Sequence, residues 1–286
     1  MESLISVIIP CYNASLYITE TLISLLSQQD IKLEIIIVND GSTDDTERLI
    51  QNEMRSNIIY VKQENKGVSA ARNVGFKKAK GQYVVFFDAD DIMPPGFLKT
   101  RLDFLGTHNN LDFTSASVQK FNNQGLITGT FRGTSNNAFE EVLFYQSDIV
   151  TCPSNYMFKW SFLIEKGIKF NEKLSSTADR FFILQCALVG KSNYNSNLVP
   201  LHYRVSENSM SHLLTKKLVL DNYLYYNELL KNNLIPHAIK NKSIFLKNYI
   251  LSVSYLKTGN IYKAIYFGLV CVIKNPVLLF KKIICE

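Results

Sequence analysis

Four short apolar runs recur within the first hundred residues: "LISVIIP" (4–10), "LEIIIV" (33–38), "NIIYVK" (57–62) and "YVVFF" (83–87). They limit the fold more than any other feature of the chain. β-branched runs without polar–apolar alternation suit strands buried on both faces, as in a parallel sheet. Between them, 15–29, 44–55 and 68–80 carry helical patterns, and "STDDTE" offers an N-cap and first-turn acids to the second. Strand–helix–strand repetition at this spacing predicts an α/β fold, a mainly parallel sheet flanked by helices on both faces. After about residue 110 the pattern loosens. "DFTSASVQKF" and "GLITGTF" read as a hairpin about "NNQG", 137–146 and 178–189 as helices, and the chain from 212 as mostly helical. The expected organisation is 1–212, parted near 110, followed by a helical tail at 213–286.

Ligands of open α/β sheets bind outside the carboxyl ends of the strands, so the residues found there indicate chemistry. The first strand runs into Pro10-Cys11-Tyr12-Asn13 and the second into Asn39-Asp40-Gly41-Ser42. "ENKGVSAARNVG" follows the third, and Asp88-Ala89-Asp90-Asp91 ends the fourth. Carboxylates one residue apart at the end of a rigid strand suit a hard divalent cation, Mg²⁺ or Mn²⁺. Such an ion keeps its other positions for water and a substrate diphosphate. Asp40 could accept from a base N–H and Tyr12 could stack on a ring, although "NDGST" also reads as a turn with a helix cap. Arg72 is either a solvated helix charge or a partner for Asp88 or Asp40, its planar fork suiting carboxylate and phosphate alike.

"SVIIPCYNAS", "EIIIVNDGSTDDT" and "ENKGVSAARNVGFKKAKGQYVVFFDADDIMPP", in this order, resemble glycosyltransferase family 2 with the GT-A fold. "STADRFF" and "HYRVSENSMS" extend the likeness less closely to about 212. The resemblance implies a nucleoside-diphosphate sugar donor, usually a UDP-sugar, and inversion at the anomeric carbon. It implies that Pro10, Tyr12 and Asn13 line the nucleoside pocket, that Asp40 meets the base, and that Ser42, Lys66, Gly67 and Arg72 flank the nucleotide. Asp88, with Ala89 beside it, would approach ribose or metal, and Asp90 would be the principal metal ligand.

Glycosyl transfer also needs a base within reach of the acceptor hydroxyl. The family places it in an acidic pair opening a helix. Here "SSTADRFFILQCAL" makes Asp179 the candidate, with Ala178 where an acid usually stands and Asp148 or Glu172 as substitutes. Asp179 also reads as a helix-start acid paired with Arg180. Of the four histidines, His202 in "PLHYR" is the candidate further metal ligand, ahead of His212; a structural strand histidine is the alternative. Trp160 reads either as an acceptor-sugar platform or as core.

The five cysteines have no metal-ligand spacing, and "MESLISVIIPCYN" has no basic leader region, so a cytoplasmic protein with reduced thiols is expected. The charge is uneven. Residues 229–286 hold nine lysines and one acid, Glu286, for a net +8; the whole chain is +6, which leaves −2 on 1–228. The longest apolar run, "AIYFGLVCVI", is about half of the roughly 20 residues a spanning helix needs. Lysines mixed with apolar residues over 229–285 suit peripheral attachment to an anionic membrane, with a saccharide or lipid-linked saccharide acceptor; water-facing lysines on a helical appendage are the alternative. The tail is too apolar for nucleic acid and carries no recognition motif. A catalytically inactive nucleotide-sugar-binding assembly partner is the rival from another class. A nucleotidyltransferase would want a glycine-rich basic loop where "PCYNAS" stands.

Overall fold

The four apolar runs form strands β1 (Leu4–Cys11), β2 (Lys32–Asn39), β3 (Ile58–Lys62) and β4 (Tyr83–Phe86), all mutually parallel, in the computed structural model. It describes residues 3–135, 138–144, 148–205 and 215–274. Helices α1 (Ile18–Leu26), α2 (Thr46–Asn52) and α3 (Val68–Lys78) connect them. Both faces of these strands are buried, which explains the lack of alternation. Ile5, Val7, Ile9, Ile35 and Ile37 join Leu22 and Leu25 of α1 in one core cluster. On the other face α3 lies so close to β1 that a Cβ on Gly75 would stand 2.4 Å from Ile8 Cγ2.

The chain continues through α4 (Phe97–Thr107), β5 (Phe113–Ser115), β6 (Val118–Phe121), β7 (Ile127–Phe131), α5 (Ala138–Leu143), β8 (Tyr156–Lys159), α6 (Trp160–Glu165), α7 (Ala178–Val189), β9 (Ser192–Tyr194) and β10 (Leu201–Arg204). Among the described residues these complete a seven-stranded sheet ordered β3-β2-β1-β4-β8-β5-β9 and a small sheet ordered β10-β6-β7. Within the large sheet β8 alone runs against its neighbours, β4 and β5. The expected hairpin about "NNQG" is present as β6 and β7. "DFTSASVQKF", however, is two strands in different sheets. Between them the Asn155 amide takes both the N–H (3.4 Å) and the C=O (2.8 Å) of Ala116, ending the ladder there.

An aromatic group anchors α7 to the sheet. Phe182 stacks on Phe170 at 4.1 Å, and both rings meet Phe86 of β4 edge-on. Edge-on and offset ring pairs add specific attraction to area burial, so they fix the start of α7 relative to β4. One expectation for α2 fails in detail. Its N-cap residue Asp45 makes no side-chain cap bond; the preceding Asp44 instead accepts from the Thr46 and Ser15 N–H groups.

The chain divides into compact units at 1–206 and 207–286. In the second, α8 (Lys216–Lys231), α9 (Lys240–Lys257) and α10 (Ile261–Lys274) enclose a small core of Val219, Leu251, Tyr255, Ala264 and Phe267. No helix among the described residues is long and apolar enough to cross a membrane. His212 and the stretch "NPVLLFKKIICE" lie outside the described residues.

Candidate active site

Strand order reverses at β1, with β2 on one side and β4 on the other, and crevices at such a point hold ligands. Loops from β1 and β2 clasp each other there. Asn13, at φ +49°, accepts from the Thr43 N–H through its side chain (2.8 Å), and its own N–H donates to Ser42 Oγ (3.0 Å). Pro10 is buried in β1, whereas Tyr12 is 53% exposed, so its ring is free to meet a ligand. Asp40 is buried; its carboxylate accepts from Gln63 Nε2 (2.7 Å) and from the Lys66 and Gly67 N–H groups (2.8 Å each). Asp40 therefore shapes the 63–67 loop through charge-assisted bonds. Three of its roughly four acceptor positions are in use, leaving one for a base N–H.

Asp88 stands just past β4, at the point where Phe87 N–H still pairs with the Ile8 carbonyl (2.8 Å). Its own N–H donates to Ser154 Oγ (3.0 Å). The Thr21 hydroxyl lies 2.9 Å from the carbonyls of both Ala89 and Asp91, tying the loop to α1. Three carboxylates fall within four residues here. Burial, with Asp88 adding to it, pushes Asp90 up to about 6, and burial with both neighbours pushes Asp91 well above the carboxylate range. Asp91 Oδ2 is buried and has no partner. The donor set is all oxygen and Asp91 Oδ2 is unpaired, so Asp88 and Asp90 fit a hard divalent cation.

Arg72, 2% exposed on α3, joins this loop to α7. One terminal nitrogen donates to Asp88 (2.6 Å) and the other to Asp179 (2.5 Å), while the guanidinium lies 4.8 Å from the centre of the Phe170 ring. Of the two partners suggested for Arg72, Asp88 is observed and Asp40 is replaced by Asp179. Burial pushes Asp179 up to about 6 against the pull of Arg72, although 31% of its side chain remains exposed. Ala178 is fully buried, so an acid in its place would enter the core without water. Only Asp179 of this pair can present a carboxylate.

The alternative bases have other partners. Asp148 binds Arg132, which also holds Glu141; Glu172 accepts from the Asn73 amide. Trp160 does not reach this edge. β8 is antiparallel to β4, with Lys159 opposite Tyr83, and Trp160 N–H bonds the Gln82 carbonyl at the amino end of β4. His202 bridges to Ile92 through its backbone and meets Phe121 edge-on. Among the described residues, no three His, Cys, Asp or Glu side chains converge as a metal-binding group, so His202 does not complete a preformed set with Asp88 and Asp90. Cys11, Cys152, Cys186 and Cys271 are buried and unpaired; Cys285 is outside the described residues.

Two residues were missed by sequence reasoning. Ser154 braces Asp88 from the stretch before β8. Arg204, at the end of β10, donates to the Asp90 carbonyl (2.9 Å) and to Glu20 (2.5 Å), and its N–H bonds Asp91 Oδ1 (3.1 Å). The only available signal for Arg204 was its place in "HYRVSENSMS".

Residues 6–164 match the model of Glycosyl transferase family 2. The minor teichoic acid biosynthesis protein GgaB of Bacillus subtilis is 30% identical over 222 residues, 74% of this chain but 24% of GgaB. The chain spans about a quarter of the length of the curated relatives it matches. Staphylococcus aureus TarS 1–349 in complex with UDP-GlcNAc shares the fold with a TM-score of 0.66 at 19% identity, covering 92% of this chain and 89% of that one. The mannosyltransferase PcManGT of Pyrobaculum calidifontis, in complex with GDP-Man and Mn²⁺, has a TM-score of 0.63 at 16% identity, covering 99% and 84%. With the family model matching more than half of the residues, and the fold shared over nearly the whole length, the chain has the GT-A fold and belongs to glycosyl transferase family 2.

Proposed function

We propose that the chain is an inverting glycosyltransferase. It moves a sugar from a nucleoside-diphosphate sugar, a UDP-sugar, to a hydroxyl of a saccharide or lipid-linked saccharide in surface polysaccharide or glycolipid synthesis. The observation that carries this reading is Arg72, which holds Asp88 at the donor loop and Asp179 on α7 at the same time. A nucleotide-binding site alone has no need of a second carboxylate on α7 tied to Asp88 through one arginine, whereas transfer has a use for it as a base. The name of GgaB supports the polymer class, and the UDP-GlcNAc and GDP-Man of the structural neighbours support the donor class.

In this reading Pro10, Tyr12, Asn13, Asp40, Ser42, Lys66 and Gly67 receive the nucleoside, and Asp88, Ala89 and Asp90 lie along the ribose and diphosphate. Mn²⁺ or Mg²⁺ on Asp88 and Asp90 would offset charge on the leaving diphosphate. Arg72 occupies Asp179 Oδ1, and Oδ2 receives the acceptor proton. As that proton leaves, the acceptor oxygen bonds the anomeric carbon from the face opposite the diphosphate. The carbon–oxygen bond to the diphosphate breaks, and its electron pair departs with it. We place the reaction in the cytoplasm, on the inner face of the cell membrane, as the acid-free basic tail supports.

The test is nucleoside-diphosphate release from a panel of donors, with and without Mn²⁺, for wild type, Asp90→Ala and Asp179→Asn. Metal-dependent release from one donor, abolished in Asp90→Ala and lowered to a small residual rate in Asp179→Asn, is expected. Nucleotide binding without turnover on any donor, even with crude membrane acceptor present, would favour the inactive assembly partner, for which Ala178 is the sequence argument.

A further inference from the structure

We propose that the outward face of α10 is a docking surface for an anionic lipid bilayer. Ala264, Phe267 and Cys271 are buried, and Phe267 stacks on Tyr255 of α9 at 5.7 Å. Tyr262, Ile265, Tyr266, Leu269, Val272 and Ile273 occupy the opposite side and are exposed, Tyr262 to 90% and Ile273 to 77%. At 100° per residue these six fall within an arc of roughly 120° with no charged residue inside it. A helix apolar on both its inner and outer faces needs a second covering.

Charge decides which covering. No Asp or Glu occurs from residue 229 to 285. Lys257 and Lys263 flank the start of α10, and Lys274, Lys281 and Lys282 occupy its end and the sequence beyond. A second copy laid on this face would bring lysines against lysines with no acid to answer them. Lipid phosphates do answer them, and tyrosines suit the headgroup boundary because their rings are apolar and their hydroxyls wet. Beside Tyr262, a mainly apolar cleft of about 540 Å³, with Val219, Leu220 and Ile261 in its lining, also carries Lys216 and Lys263, cations that suit an anionic headgroup. At about 21 Å, α10 is too short to span the roughly 30 Å hydrocarbon core, so it lies in the interface.

This inference deepens the membrane part of the proposed reading and is independent of glycosyl transfer. The test is sedimentation of the full chain with phosphatidylcholine vesicles, with and without phosphatidylglycerol, together with molar mass over a range of protein concentrations. Wild type should bind the phosphatidylglycerol vesicles at least tenfold more tightly, and salt should weaken the binding. Ile265→Ser combined with Leu269→Ser should lower it at least tenfold with little change in melting temperature, since neither side chain is in the core. Equal binding by variant and wild type, or no binding to either vesicle, overturns the proposal. So does a concentration-dependent dimer that the same variant abolishes, which would make a second copy the covering. Donor release assayed with a soluble acceptor separates the two readings: lost turnover with intact vesicle binding sinks only the transferase.

Discussion

The carboxyl edge of β1–β4 and the stretch from β5 to β10 both contribute to one site, but in different ways. On the first edge, neighbouring loops hold each other through short-range bonds such as Asn13 with Thr43 and Asp40 with the 63–67 loop. The second stretch reaches across the fold with single side chains: Ser154 to Asp88, Asp179 to Arg72, and Arg204 to Asp90. A ligand-shaped edge can be assembled from consecutive βα units. In the proposed mechanism the acid–base group, Asp179, comes from the second stretch and is tied to the first through Arg72.

The largest expected effect tests that division. Asp179→Asn should lower kcat by about 10²- to 10⁴-fold, the usual worth of a positioned general base, and leave nucleotide affinity within about threefold of wild type. Asp90→Ala should weaken the nucleotide together with the metal. Turnover and titration calorimetry on both variants read the split. If Asp179→Asn loses binding as completely as turnover, the two regions do not divide binding from chemistry.

Arg72 joins the regions, so its removal is the next largest effect. Arg72→Ala strands two carboxylates beside an aromatic core and should cost about 3–5 kcal/mol in urea unfolding. Arg72→Lys keeps the charge but has no planar fork to bridge Asp88 and Asp179, so it should recover stability better than kcat. Full recovery of kcat by lysine would show that the bridge geometry is unimportant.

A pH profile comes third. With its pKa near 6, Asp179 is charged at neutral pH and takes up a proton below about 6. A protonated base cannot accept, so at saturating donor kcat should be flat above that value and fall about tenfold per unit below it. The acid limb should vanish in the residual activity of Asp179→Asn. A limb that survives this substitution belongs to another group.

The same contrast explains what the sequence disclosed. β1–β4 lie within a residue of the apolar runs because burial on both faces is written into consecutive positions. Asp88, Asp90 and Arg72 followed from those strand ends. Ser154 and Arg204 were invisible because their roles come from register: β8 enters antiparallel beside β4, and β10 meets Ile92 across another sheet. Of the two readings of Trp160 the platform is set aside for the same reason, since an antiparallel strand delivers its last residues to the other edge, and its buried indole nitrogen favours the core. The division of "DFTSASVQKF" depended on Asn155, 39 residues beyond Ala116.

Ser154 gives the smallest effect and isolates one cross-fold contact. Its Oγ accepts from the Asp88 N–H, and its hydroxyl also helps hold down the pKa of buried Asp91. Ser154→Ala removes both interactions without adding bulk. An unpaired N–H at a part-buried loop costs about 1–3 kcal/mol at most, with the lower end expected where water can enter. The loss should appear more in donor affinity than in kcat, because Ser154 braces the donor loop and touches neither Asp179 nor Arg72. A rise of about three- to tenfold in donor KM at nearly constant kcat is therefore expected from steady-state kinetics. An equal fall in kcat would mean that the second stretch governs chemistry through Asp88 as well as through Asp179.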